Sequence, residues 1–433
     1  MTAPRPRLVV VGGGAAGLLA AGRAAEVAAG RAEVLLLEST DAPGHKLALT
    51  GNGRGNLTNA APVEEHVRRL GPNGPSARNA LYRFGPAEAL AFWQSLGLPL
   101  EVAPDGRAFP RTGRAADAVE RLVAWCRRGG VTIRTGAAAS ALLVEGGRIR
   151  GVRLSQGGTV AAEAAVLATG GWSWPRTGSR GDGWRLAAEV GHTVHAPAAG
   201  LVPLVTAEPR PEGLAGVSLA EVAATAERDG RVLARARGGL LFTHDGLSGP
   251  AILTLSLHVA RALAEGPLTA RLDLLPGLSE PALDAHLREV ATGAGRGTAQ
   301  GLFQGLLPRA LGQAVLAAAG LPGDLRLAAL TARQRREAAA TAKGWAIAVA
   351  RARPLREAMV TVGGVDVAEV EPTTMASRRV VGLYLAGELL DVAGETGGYN
   401  LHYAFASGRL AGESAARALA AAQPPIDRRN APA

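Results

Sequence analysis

One cysteine, Cys126, serves a chain of 433 residues. A lone thiol excludes an internal redox disulfide and a cysteine-rich zinc cluster. Within the helical spacing Val119, Leu122, Val123, Cys126 it reads as a small buried apolar group. Lysine is nearly missing too. Only Lys46 and Lys343 occur, so the formal charge of +10 rests on arginine. Those arginines are dispersed through Ala- and Gly-rich sequence, and aromatics make up only 4%. A base-stacking platform is therefore poorly supplied, and nucleic acid is not the expected partner. No run of about eighteen apolar residues occurs, so no membrane span is expected. The N-terminus lacks a charged-then-apolar signal pattern, which points to a cytoplasmic protein. No metal-ligating set stands out. What the chain does have is 47% hydrophobic residues, enough for a sizeable core and two or three domains.

The informative stretch is the first forty residues. The apolar run Leu8–Val11 enters Gly12-Gly13-Gly14-Ala15-Ala16-Gly17, which fits G-x-G-x-x-G. An Ala/Leu-rich helix over 18–29 follows, then a second apolar run, Val34–Leu37, ending in Glu38. Strand, glycine turn, helix, strand and acid make one βαβ unit. Gly12 permits the tight turn, Gly14 lets a pyrophosphate approach the backbone, and Gly17 lets helix and strand pack closely. The unpaired N–H groups of the helix start, with Ala15 and Ala16 among them, and the helix dipole favour negative charge there. Glu38 lies about twenty residues past the last glycine, where an acid accepts hydrogen bonds from a ribose diol. An adenosine with free hydroxyls, as in FAD or NAD, is expected.

The segment 44–59, GHKLALTGNGRGNLTN, reads as a structured loop rich in polar donors, suited to a ribityl-phosphate or a flavin edge. Helices are expected over 86–96 and 115–128, an extended excursion over 98–110, a hairpin over 141–154, and a buried strand over 164–168 running into Thr169-Gly170-Gly171. Texture changes near 192. Prolines, loosely alternating segments (217–226, 231–236), the turn Thr243-His244-Asp245-Gly246 and helices over 278–290, 298–306 and 308–319 follow. Gly293–Gly297 contains G-x-G-x-G but follows a helix, so it reads as a loop and not as a second nucleotide site. Near 358 the α/β character returns, with strands over 360–365 and 383–386, then Gly387-Glu388. Last comes Gly397-Gly398-Tyr399-Asn400, opening a long helix over 401–421.

These residues resemble the two-dinucleotide-binding-domain flavoproteins, and more closely the BaiN-like (YhiN-type) family of bacterial FAD-dependent oxidoreductases. Five ordered blocks carry the resemblance: VVVGGGAAGLLAA with Glu38, residues 46–59, 168–184 (ATGGWSWPRTGSRGDGW), 240–253 (LLFTHDGLSGPAIL) and 360–408. One position departs. Where the family usually has Cys in its Gly-Arg-Cys-Asn loop, this chain has Gly55. The resemblance implies an α/β fold: a Rossmann-like FAD-binding domain built from both chain ends (1–191 and 356–423), an inserted β-barrel-like domain (192–277, returning at 341–355), a helical subdomain (278–340) and a flexible tail (424–433). It implies that Gly12, Gly14, Ala16 and Gly17 hold the pyrophosphate and Glu38 the adenosine ribose. Lys46, Thr50, Asn52, Arg54 and Asn56 would line the flavin side, and Thr169 and Gly170 would pass close to the dinucleotide. Gly387 and Glu388 would approach the ribitol and phosphate. Gly398, Tyr399, Asn400 and Leu401 would meet the pyrimidine end of the ring.

The expected activity is FAD-dependent hydride transfer to or from a small organic molecule. With one glycine fingerprint assigned to FAD, NAD(P)H would bind transiently, or O₂ would serve as redox partner. An FAD-containing RNA-modifying or RNA-binding protein is the alternative reading, supported by the arginine excess. His244, Tyr399 and His402 are the candidates for proton handling.

Overall fold

Strand β1 (Arg7–Val11) lies inside a seven-stranded sheet with β2 (Glu33–Leu37) on one side. In the computed structural model, which describes residues 5–208, 213–293 and 297–422, β2 is followed outward by β3 (Thr132–Arg134). On the other side of β1 come β4 (Ala164–Leu167), β6 (Leu383–Leu385) and two short antiparallel strands, Ala376–Ser377 and Val370–Glu371. All pairings among β3, β2, β1, β4 and β6 are parallel. Leu8, Val9 and Val10 are fully buried, as are Ala165, Val166 and Leu167. A strand buried on both faces reads as a continuous apolar run, which is how β1 and β4 read in the sequence. Each fully buried Leu or Val contributes roughly 1.5–3 kcal/mol.

Residues up to Pro197 and those from Val360 onward form one compact unit. Its two ends are joined by backbone contact between helices. Helix α1 (Ala15–Ala28) packs on the long C-terminal helix α3 (Tyr399–Ala421). A Cβ at Gly408 would lie 2.1 Å from the Ala16 carbonyl oxygen, and one at Gly412 would lie 2.1 Å from that of Ala20. Only glycine fits where one helix rests on the carbonyls of another, and the i, i+4 spacing puts both glycines on one face. The segment read as a loop, 44–59, contains a short helix α2 (His45–Leu49) and a two-residue strand, Thr58–Asn59. Two helices, Val63–Arg69 and Gly74–Arg83, went unrecognised in the sequence.

The other unit, Ala198–Met359, contains a closed antiparallel barrel. Its strands run in the order Leu204–Thr206, Gly246–Ser248, Arg231–Phe242, Ser218–Arg228, Leu268–Asp273, Trp345–Ala352. One hydrophobic core joins the barrel to the helices Pro250–Glu265, Glu280–Gly293, Arg309–Ala318 and Ala332–Gly344. The expected helix over 298–306 is absent. A single 3₁₀ turn covers Ala299–Gly301, and Gly305 adopts φ +81°, a conformation no helix continues through. The G-x-G-x-G loop at 293–297 lies mostly outside the described residues, and so does the tail 424–433.

Candidate functional site

The register brings four chain segments to one edge of the sheet. Val11 pairs with Leu37 on one side and Leu167 on the other, and Leu167 pairs with Leu385. The residues that follow are therefore neighbours: Gly12, Glu38, Ala168-Thr169 and Ala386-Gly387. In an open parallel sheet a ligand binds beyond the carboxyl ends of the strands, where neighbouring connections diverge to either side. Here β1 has β2 on one side and β4 on the other.

The three fingerprint glycines have distinct reasons to be glycine. Gly12 has φ +104°, and a Cβ there would stand 2.5 Å from the Ala168 carbonyl oxygen. A Cβ on Gly17 would lie 1.8 Å from the Gly12 oxygen. Both glycines are required by the fold. At Gly14, the N-cap of α1, a Cβ would meet no atom within 4 Å, the backbone is extended, and no side chain caps the helix. Protein packing gives Gly14 no reason to be glycine. The open space in front of the helix N–H groups does, if a phosphate occupies it. Ala15 and Ala16 form the first turn beside it, with Ala16 buried.

Glu38 is nearly buried, and its carboxylate clamps the turn. Oε2 accepts the Gly13 N–H at 2.7 Å, while Oε1 accepts the Thr40 N–H (2.7 Å), the Thr40 hydroxyl (2.8 Å) and the Ser39 hydroxyl (3.2 Å). These bonds occupy the roughly four acceptor positions of a carboxylate. A ribose diol would take the place of the hydroxyl donors and leave the Gly13 bond intact. Gly178 closes over this corner: a Cβ there would be 2.8 Å from Thr40 Cγ2 and 3.9 Å from Glu38 Oε1. Neither Thr40 nor Gly178 drew notice in the sequence.

A second carboxylate ties three segments together. The Lys46 ammonium, on α2, donates to Glu388 Oε2 at 2.5 Å and to the Ser173 hydroxyl at 2.6 Å. Glu388 Oε1 accepts from the Ser173 hydroxyl (3.0 Å) and from the Thr361 N–H (2.9 Å) on strand β5 (Val360–Val365). The Thr361 hydroxyl accepts the Trp172 N–H at 2.9 Å. Lys46 and Glu388 were both expected near the dinucleotide. Ser173 and Thr361 were not, although both lie in segments that carried the resemblance. Beside this hub, Gly387 (φ +74°) donates its N–H to Ser407, and a Cβ there would touch that of Ala16 at 2.9 Å. Gly170 also has positive φ, +75°, while the Thr169 hydroxyl is buried without a hydrogen-bond partner.

Gly398, the N-cap of α3, meets the front of the chain at Thr58. A Cβ at Gly398 would be 2.5 Å from the Thr58 carbonyl oxygen. In the amide orientation that satisfies both neighbours, Asn56 donates to Thr58 O (3.0 Å) and accepts the Gly398 N–H (2.9 Å). Asn400 closes its own loop, accepting the Gly394 N–H (2.7 Å) and donating to Gly394 O (2.7 Å), so its side-chain amide is already engaged. Leu401 is partly buried against the core. Thr50 caps the end of α2 through Leu47 O (2.7 Å), and Asn52 turns the chain with φ +55°. Arg54 is exposed, its guanidinium carbon 4.6 Å from the centroid of the Phe109 ring. Gly55 has φ +78°, and a Cβ there would press on Ala115 at 3.0 Å. The backbone itself therefore disfavours a cysteine at this position.

His402 is fully buried. Nε2 faces Phe84 O at 2.9 Å and Nδ1 faces the Thr58 hydroxyl at 2.7 Å. Burial, with His66 nearby, pulls it down to about 3, so it is neutral at physiological pH. With both nitrogens engaged inside the protein, it is not placed to exchange a proton with a substrate. His66 packs 4.6 Å from it and edge-on to Tyr399 at 4.9 Å, with its own affinity for a proton lowered by burial. Tyr399 is likewise buried, its phenol pushed upward by desolvation. His244 sits on an exposed turn of the barrel unit, beside Asp245, which pairs with Arg353 at 2.8 Å. Cys126 is buried and inert: its thiol points to Leu18 O at 3.3 Å and is pushed up to about 12. Among the described residues no group of acids, histidines or cysteines could hold a metal ion.

A fingerprint helix opening on free space, an acid at the end of β2, and a rear glycine-rich helix start joined to the front loop are the parts of a two-segment dinucleotide-binding fold. The chain belongs to the family described as HI0933-like protein Rossmann domain, whose model matches residues 6–414. It is 36% identical to the 3-dehydro-bile acid delta(4,6)-reductase of Clostridium scindens over 95% of this chain and 99% of that one. It is 34% identical to the ribosomal RNA dihydrouridine synthase of Escherichia coli over 92% and 95%. Its fold is similar to that of the 3-ketosteroid-delta4-(5alpha)-dehydrogenase of Rhodococcus jostii, with TM-score 0.53 and 17% identity over 96% and 98% of the two chains. The protein is an FAD-dependent oxidoreductase. No helix among the described residues is long and apolar enough to cross a membrane.

Proposed function

We propose that this chain reduces a carbon–carbon double bond conjugated to a carbonyl in a small, largely apolar molecule. The observation that carries the reading is the pair of near-full-length relatives, whose names both describe hydrogen added to a carbon–carbon double bond. When bound, FAD would supply the hydride chemistry: two electrons and one proton, drawn from a donor of the NAD(P)H class, would go to the β-carbon as hydride while a second proton completes the α-carbon.

The chain's own groups have separable tasks in this reading. The α1 N–H groups behind Gly14 hold the pyrophosphate, and Glu38 orders the glycine turn and accepts the ribose diol. Gly387 and the Lys46–Glu388 pair border the ribitol. Tyr399, Asn400 and Leu401 offer their backbone N–H groups, at the positive end of α3, to the ring edge where negative charge accumulates. Burial lowers the proton affinity of His66 and His402, so neither adds positive charge beside the helix end.

Anaerobic mixing of the yellow protein with NADH or NADPH tests this. Absorbance at about 450 nm should bleach with one of them and return on adding a 3-oxo-4,6-diene steroid. Bleaching followed by recovery only in air would replace the reductase reading with an oxidase. A second reading, reduction of a uridine ring in RNA, is favoured by the name of the E. coli relative. Uridine also carries a double bond conjugated to a carbonyl, and recovery of colour with RNA alone would select it.

A further inference from the structure

We propose that Arg54 is the specificity-determining residue that binds a carboxylate on the apolar substrate. The inference rests on the reductase reading above and adds the chemical class of the substrate's second handle.

Four observations carry it. First, the guanidinium is held in place: it lies over the Phe109 ring at 4.6 Å, which leaves its in-plane N–H groups for a planar anion. A pre-set arginine loses less entropy on binding than a free one. Second, its charge is unmatched. Arg107 shares the same ring at 5.6 Å but pairs with Asp105 at 2.6 Å, Arg114 faces Asp117 at 3.6 Å, and Lys46 is matched by Glu388. Of the cations on this loop and the strand beneath it, Arg54 and Arg111 have no carboxylate partner among the described residues. Third, Arg54 is two residues from Asn56, which holds the Gly398 N–H at the start of α3. Fourth, exposed apolar side chains accompany it. Leu49 is 50% exposed, and its carbonyl accepts the Gly53 N–H within the same tight turn. Lys46, one helical turn before Leu49, holds Ser173, whose neighbours Trp172 and Trp174 are 44% and 45% exposed. Exposed apolar side chains on the same loop, and on the segment that Lys46 holds, suit an apolar body, and the unmatched guanidinium suits an acidic end.

The test uses the FAD-loaded protein, a 3-oxo-4-ene steroid bearing a side-chain carboxylate, and the methyl ester of the same compound. Binding is read from the flavin difference spectrum and turnover from reoxidation of the reduced flavin. The acid should bind wild type about tenfold more tightly than the ester. Arg54→Gln should weaken the acid about tenfold more than it weakens the ester, erasing that preference at equal FAD content, and Arg54→Lys should restore part of it. Equal binding of acid and ester by wild type, no spectral change with either, or an unchanged preference in Arg54→Gln would each overturn the assignment. Arg54-dependent binding of the acid without any reoxidation would uphold the anchor and sink the reductase reading. Tight, Arg54-dependent binding of a uridine-rich RNA oligomer that the acid cannot displace would overturn the commitment to a small carboxylate.

Discussion

Lys46 and Glu388 stand 342 residues apart in the chain, yet their side chains meet at 2.5 Å beyond the carboxyl edge of the sheet. The pair is more than a surface bridge, because each side chain is mostly shielded, with 28% and 21% exposure, and Glu388 also receives Ser173 and the Thr361 N–H. It fastens the segment after β2 to the segments after β4 and β6.

Glu388→Gln should keep the outline of this hub and lose the charge opposite Lys46. FAD affinity is expected to fall about tenfold, with thermal stability reduced by about 1–3 kcal/mol. Lys46→Met should behave alike, and the double variant should lose less than the two single losses added together. Flavin retention after gel filtration and a melting curve check this. Strictly additive losses would mean the two residues act separately.

The glycines of the fingerprint should separate folding from binding. Gly14→Val places a side chain in space that no protein atom fills, so the protein should fold with its secondary structure intact and elute colourless. Gly17→Val drives a side chain into the Gly12 carbonyl and should yield little folded protein. A Gly14→Val protein carrying a full complement of FAD would remove the phosphate from this helix.

The buried histidines predict an acid-side loss of stability. His402 titrates at about 3 when folded, against 6.5 as its ordinary value. Between these values the unfolded chain binds the extra proton, so its contribution is whole above pH 6.5 and erodes as pH falls toward 3. From pH 7.5 to pH 5 the loss should reach about 2 kcal/mol from this residue alone, with His66 adding in the same direction. Urea midpoints for wild type and His402→Gln check it: the variant should have the flatter pH profile.

Cys126 should not react with a thiol reagent at pH 8 while the protein is folded, because burial holds the thiol up at about 12. Reaction should appear only with unfolding. Cys126→Ala should retain FAD and activity.

Much of the fold was legible because the physics was local. The β1–turn–α1–β2 unit follows from a glycine pattern, an apolar run and one acid, and β4 and β6 from apolar runs ending in small residues. The hub was only half legible. Ser173 reveals itself through bonds to Lys46 and Glu388, 127 and 215 residues away, and Thr361 through the Trp172 N–H, 189 residues away, and no sequence period encodes such distances. His402 suggested proton chemistry until burial and two internal bonds accounted for its nitrogens. Asn400 suggested a ring contact, and its side-chain amide closes a loop, which leaves its backbone N–H as the group it can offer a ligand. The expected helix over 298–306 failed on Gly305, whose left-handed backbone outweighs the apolar spacing around it.

A crystal structure of the FAD-loaded protein decides whether both chain ends hold one flavin. It should show one FAD whose pyrophosphate lies against the N–H groups after Gly14, with its ring beside the start of α3 at Gly398–Leu401. Density placing the ring away from α3, or a nucleotide held by the front segment alone, would contradict it.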